Sequence, residues 1–153
     1  MVHIICCSTT FGRSDVRMKL SVVSQFKSEE LPMPSLDTSK LPHFVAADPR
    51  GPVVMLNLLR FAPGGADRYM QYIERFSSSG INERYGVRII YAGIGHPSLA
   101  PADGGDWDMV ALVSYPSRQH FVDMINDPAY REFKHLRDEA VATAVLQPTT
   151  PAI

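Results

Sequence analysis

The sequence predicts an α+β fold built on the ferredoxin-like β-α-β-β-α-β plan downstream of Gly51. Three stretches predict it. Val53–Phe61 is a nearly unbroken apolar run bounded by Gly51-Pro52 and Pro63-Gly64-Gly65. Trp107–Tyr115 has strand character and leads through Pro116 into a helical stretch split at Asp127-Pro128. Val141–Gln147 follows as a closing strand, ended by Pro148. Strand, helix and strand periods thus succeed one another in the required order.

Residues 1–32 differ in character and are expected to form an extension outside the fold. They carry Arg13, Arg17 and Lys19 with several serines and few acids before Glu29, a weak likeness to an organelle transit segment. An upstream start codon, with Met18 or Met33 as the natural start, is the alternative reading to such an extension. The domain itself is expected to run from 33 to 153. Leu31-Pro32-Met33-Pro34 is a breaker-rich linker. Thr38 or Ser39 is placed to cap a short leading helix to about Ala47, with Leu41, Phe44 and Val45 on one face. Asp48 to Pro52 then ends it.

Val53–Phe61 is too short for most helices and too apolar for a half-wet strand, which predicts a strand buried on both faces. From Ala66 to Ser77 the period becomes helical. Tyr69, Tyr72, Ile73 and Phe76 fall on one face, and Asp67 suits the N-terminal dipole. Gly80 closes or kinks that helix. Val87–Gly93 is the second strand, and 96–106 a long turn region. In the third strand Trp107, Met109, Ala111, Val113 and Tyr115 share one face, with Val110 and Leu112 on the other. Ser117 is the N-cap of the next helix, which turns Phe121, Met124 and Ile125 inward. Asp127 caps the last helix with Pro128 at its first position. Tyr130, Phe133, Leu136 and Ala140 form that helix's apolar stripe.

Two helical segments cover only one face of a four-stranded sheet, yet the strands are apolar on both. An antiparallel sheet with one wet face alternates more cleanly. The second face therefore calls for a partner, most simply a second copy packed sheet to sheet about a two-fold axis.

Composition narrows the function classes. The 153 residues suit one domain, and a net charge of −1 without a basic run argues against nucleic acid. No apolar run approaches the roughly 20 residues of a membrane helix. The two cysteines, Cys6 and Cys7, are adjacent, a poor geometry for pairing, which favours a reducing, cytoplasmic home. Their bland reading is small apolar side chains; the functional one is a vicinal thiol pair.

Gly51–Phe61, Trp107–Ser117, Asp127-Pro128-Ala129-Tyr130 and Leu136-Arg137 together resemble the dimeric α/β-barrel superfamily. Within it the chain is most similar to a bacterial and fungal branch known as domain of unknown function thirteen-thirty. The resemblance spans about two-thirds of the chain and leaves out residues 1–32. It implies a fold and a homodimer but transfers no mechanism, since the branch has no agreed reaction. The wider superfamily holds cofactor-free monooxygenases, lactone isomerases, haem-degrading enzymes and plain binding modules.

Asn57 is the anomaly of the first strand. A buried amide finds partners or costs roughly 1–3 kcal/mol. It is either a polar group of a small-molecule pocket or a structural amide bonded to a neighbouring loop or to the dimer mate. Tyr69, Tyr91, Trp107 and Tyr130 are the candidate substrate-binding residues, since phenols orient oxygenated compounds and rings wall a cavity. Packing is the commoner role for each. His120 borders the Phe121/Met124 stripe and is a candidate general base, although a place in the first helical turn explains it equally. His135 is the other helix histidine, His43 and His96 lie elsewhere, and none has a partner at ligand spacing, so no metal is expected. Arg137 suits a substrate carboxylate or an ion pair with Glu83, Asp108 or Asp138. Gly93-Ile94-Gly95 and Gly104-Gly105 lead into no helix, which argues against phosphate loops.

Two functions follow as expectations. One is a small-molecule enzyme working without metal, nucleotide or other cofactor, its pocket between sheet and helices, with Asn57, His120 and Arg137 as catalytic candidates. The other is a non-catalytic dimeric module for a hydrophobic or phenolic metabolite.

Overall fold

The structure, a computed structural model, describes residues 36–100 and 105–151. The expectations placed on residues 1–32, on Cys6 and Cys7 and on a start at Met33 lie outside the described residues.

Turn-forming residues at 50–52 and 62–64 bound β1, Val53–Phe61, as the apolar run required. It is followed by α2, Gly65–Ser78, and then β2, Arg88–Ile94, and β3, Met109–Tyr115. Helices α4, Arg118–Asn126, and α5, Pro128–Ala140, lead to β4, Val141–Thr149. The strands form one antiparallel sheet in the order β2-β3-β1-β4, so the fold is ferredoxin-like α+β. Pro148 sits in β4 because that strand is an edge, where a missing N–H leaves no central ladder unpaired.

Two short helices complete the chain. Before β1 a single 3-10 turn, Thr38–Lys40, runs into α1, Leu41–Ala47. Its cap is Asp37, whose carboxylate accepts from Ser39 N–H at 3.1 Å, rather than Thr38 or Ser39. Arg118 holds α1 in place by donating to Phe44 O at 2.9 Å while lying 5.1 Å over the Phe44 ring. After α2, Gly80 takes φ +71 and starts α3, Ile81–Arg84, a helix the periodicity did not foretell because four residues are too few to show one.

Strand parity decides what is buried. Val53, Met55 and Leu59 of β1, with Ala111 and Tyr115 of β3, face the helices and are buried. They pack against Tyr69, Tyr72 and Phe76 of α2, Phe121 and Met124 of α4, and Tyr130 and Phe133 of α5. The opposite face carries Val54, Leu56 and Leu58, with Leu112 and Val110 across from the last two and Val145 across from Leu58. These are only half-buried and stand outside the core cluster. The expected burial of β1 on both faces is thus corrected for the single chain, since its helices pack on one side.

Asp127 ties three elements together. Its carboxylate accepts from Ala129 N–H at 2.8 Å as the N-cap of α5, from the Tyr85 hydroxyl at 2.8 Å and from Arg84 Nη1 at 2.6 Å. The Tyr85 hydrogen bond, then the Ala129 N–H and Arg84, hold its carboxyl below the usual carboxylate range. Its folded pKa is lowered, so its stabilisation is complete above the unfolded value of about 3.9 and is lost as pH falls through the folded value. Melting temperature should therefore decline on acidification from about pH 6 to pH 3, and decline less in Asp127→Asn, which starts lower at neutral pH. Parallel curves for the two proteins would remove Asp127 from the acid response.

Candidate functional site

The helix-facing side of the sheet is not filled everywhere by the side chains above it. A cavity of about 710 Å³ lies there, with Met55 and Asn57 of β1, Ala111, Val113 and Tyr115 of β3, and Ala144 and Leu146 of β4 on the sheet side. Tyr69, Tyr72, Ile73 and Phe76 of α2, Met124 and Ile125 of α4, and Tyr130 and Arg137 of α5 complete the wall. Leu36, Leu41 and Phe44 of the leading segment also line it. That size matches a small organic ligand, and the mixture of apolar wall and few polar groups is what such sites use.

Register explains how Asn57 comes to be there. It pairs with Ala111 and Leu146, both on the helix side, and is therefore on the cavity face and not on the far sheet face. It is half-buried, and its amide nitrogen donates to Met55 O at 3.1 Å. That local bond satisfies one side of the amide within its own strand.

The phenols converge from three elements. Tyr69 and Tyr72 follow the helical period of α2, Tyr115 ends β3, and Tyr130 starts the stripe of α5. The Tyr72 and Tyr130 hydroxyls are 3.4 Å apart. Burial raises the pKa of Tyr69 and Tyr115 and drives that of Tyr72 well up, with the neighbouring Tyr130 adding to the Tyr72 shift. The positive charge of Arg137 opposes the shift in all three. These phenols accordingly stay protonated at neutral pH and act as hydrogen-bond donors.

Arg137 has a largely buried side chain, 17 % exposed, and its ion-pair partner is Asp138 at 3.9 Å. Asp138 also binds Lys134. Of the three acids considered for Arg137, Glu83 and Asp108 are therefore not its partners. Asp108 instead accepts from Phe61 N–H at 2.7 Å.

Three expected site residues lie elsewhere. Tyr91 is 54 % exposed and lines no part of the cavity. A register shift between Ile89 and Tyr91 is the cause: Ile89 pairs with Val113 on the helix side, whereas Tyr91 pairs with Leu112 on the far face. An extra residue in a strand turns every later side chain over. Trp107 precedes β3, so the parity of that strand does not extend to it, and the Arg60 guanidinium lies 5.2 Å over its ring. His120 is exposed in the first turn of α4, its Nδ1 2.7 Å from the Oγ of the N-cap Ser117. It has no place among the cavity residues, and no histidine among the described residues lines the cavity.

Sequence reasoning under-used Tyr72 and Tyr115. The signals were present: Tyr72 lies three residues after Tyr69 on one helical face, and Tyr115 has the strand parity of Ala111. Among the described residues no group of three or more His, Cys, Asp and Glu side chains is placed to hold a metal ion. Among them, too, no helix is long and apolar enough to cross a membrane.

No family model matches the chain, and no curated protein is similar to it at a significant level. Solved structures are similar. A protein of unknown function from Rhodopseudomonas palustris is 33% identical, with a TM-score of 0.68 over 78% of this chain and 96% of its own. Its methylated form is 32% identical, with a TM-score of 0.68 over 78% of this chain and 94% of its own. A nipsnap family protein with unknown function from Agrobacterium tumefaciens is 13% identical, with a TM-score of 0.48 over 67% of this chain and 90% of its own.

Proposed function

The chain belongs to the family of that Rhodopseudomonas palustris protein of unknown function, and from this premise we propose that it is a small-molecule protein whose site is the cavity between sheet and helices, working as a cofactor-independent enzyme of the monooxygenase or isomerase kind. The observation that carries the reading is the convergence of Asn57, Tyr69, Tyr130 and Arg137 on one cavity whose wall also holds Met55, Ile73, Phe76, Val113 and Leu146. Polar groups are costly to bury, and four from three different elements meeting at one space are more economically explained by a ligand than by packing alone. Tyr69 and Tyr130 orient an oxygen of the ligand, Arg137 supplies positive charge, and Asn57 completes the polar side. His120 does not line this cavity and has no part in the proposed site.

Asn57→Leu tests the reading. A thermal-shift screen of phenolic, lactone and aldehyde compounds should give hits that stabilise the wild type and lose their effect in the variant. A variant that is more stable and binds every hit equally well would dismiss Asn57 from the site. Hits that bind but are never turned over would leave the second reading, a non-catalytic module for a hydrophobic metabolite.

The protein is further proposed to act as a homodimer, and the resemblance of 51–61, 107–117, 127–130 and 136–137 supports the branch thirteen-thirty. The dimer rests on the far sheet face, where Leu56, Leu58, Val110, Leu112 and Val145 form a contiguous half-buried apolar surface. Closing two such faces on each other would bury more than about 1,000 Å² in total. Light scattering at micromolar concentration should give twice the chain mass, and a monomer there rejects the dimer. The adjacent cysteines support a cytoplasmic setting.

A further inference from the structure

We propose that the cavity takes its ligand as an oxyanion: an apolar compound carrying one ionised oxygen, of carboxylate, phenolate or enolate type, held against Arg137 by the tyrosine hydroxyls. The inference rests on the cavity reading above and specifies the ligand class.

The charges around the cavity are unequal. From α5 come Arg131, Lys134 and Arg137 against Asp138, and from the leading segment Lys40 against Asp37. Lys40 and Asp37 pair with each other at 3.3 Å on the exposed rim. Lys134 and Arg137 share the single carboxylate of Asp138, which is in direct contact with Lys134 and 3.9 Å from Arg137. Arg131 donates to the neutral amide oxygen of Asn126, so two positive charges are left over on the α5 wall, and of the two cations on Asp138 the less exposed, Arg137, has the longer bond. A guanidinium presents five N–H donors, and a distant shared carboxylate leaves most of them for something else.

The phenols point to the same ligand. Among the described residues the hydroxyls of Tyr69 and Tyr115 have no hydrogen-bond partner, while those of Tyr72 and Tyr130 have only each other, at 3.4 Å. Tyr69, Tyr115, one hydroxyl of the Tyr72–Tyr130 pair and the Arg137 guanidinium keep donors to spare at a cavity whose carboxylates, Asp37 and Asp138, are already paired, so the partner that suits them is an acceptor. An ionised oxygen accepts several such bonds at once and also offsets part of the charge. The remainder of the ligand meets Ile73, Phe76, Val113 and Leu146, which calls for an apolar body.

The test uses 4-nitrophenol, whose ionised form absorbs in the visible, beside its neutral methyl ether 4-nitroanisole. Wild type should bind the phenolate about tenfold more tightly than the ether, and the bound dye should ionise about one pH unit below the free dye. Arg137→Gln should lose that preference and keep its affinity for the ether, and Arg137→Lys should restore part of it. If Arg137→Gln fails to fold by circular dichroism, the wild-type dye titration and Arg137→Lys decide. Equal binding of phenolate and ether, or a preference for the ether, overturns the oxyanion inference and leaves the cavity reading standing. Binding of neither probe, with no hit in the thermal-shift screen, overturns both.

Discussion

Phe133→Ala is expected to destabilise the protein by about 3–5 kcal/mol, the usual cost of truncating a buried phenylalanine. Phe133 is 8% exposed, and it sits at the centre of the aromatic cluster that joins α2 to α5. Its ring centroid is 5.5 Å from Tyr130, 5.9 Å from Tyr72 and 6.4 Å from Phe76. The contact with Tyr130 is edge-on, at 77°, the arrangement that ring quadrupoles favour. Removing the ring forfeits its burial and leaves a void that the three surrounding rings are too stiff to close. Phe133 does not line the ligand cavity, so the variant separates stability from binding. Denaturant unfolding should show the loss as a lower midpoint at unchanged slope. Phe133→Leu should cost less than about 1.5 kcal/mol if volume is what matters. A loss below about 1 kcal/mol in Phe133→Ala would mean that the cluster carries little of the stability.

Gly65→Ala is the second large effect, expected at about 2–3 kcal/mol, the range for forcing atoms into filled space. A Cβ on Gly65 would stand 2.1 Å from the carbonyl oxygen of Ala140, a backbone atom that has no flexible end to give way. That same oxygen accepts from Ala62 N–H at 2.9 Å, so moving it also disturbs the bond that joins the end of β1 to the end of α5. Gly64, one residue earlier, offers the internal control. It has φ +71 but nothing within 4 Å of its Cβ position, so Gly64→Ala pays only the left-handed backbone cost of about 1–2 kcal/mol. Chemical denaturation of the two variants ranks them. Gly64→Ala as the more damaging of the pair would reject the close approach as the reason for glycine at 65.

The elements whose signals are local are legible in the sequence. Asp127-Pro128 marks a helix start because a short acceptor side chain and a proline suit the first turn, and Asp127 does accept from Ala129 N–H. Ser117 accepts from His120 N–H in the same way. The apolar run of β1 and the Tyr69/Tyr72/Phe76 stripe of α2 show their periods within one stretch of chain. The leading helix was legible in place but not in its cap, since Asp37, Thr38 and Ser39 are all competent caps and the choice depends on the turn that precedes them.

The candidate site was legible only where parity and period held without interruption. Asn57, Tyr69, Tyr130 and Arg137 belong to regular elements, and their faces follow from counting along the chain. Tyr91 follows a bulge in an edge strand, which counting cannot see. Trp107 lies two residues before the strand it was assigned to.

By itself, then, the sequence determined the order and kind of the strands and main helices, the caps of α4 and α5, and the two apolar sheet faces. Each rests on interactions within a few residues, or on a pattern that repeats along one element. The tertiary structure alone decided which polar groups share a cavity. Tyr115 and Arg137 are 22 positions apart, and Tyr69 is 46 before Tyr115. They meet because β3 pairs with β1 in one register and α5 packs on α2 in one phase. Register and packing phase are settled by long-range burial, and no short-range pattern encodes them.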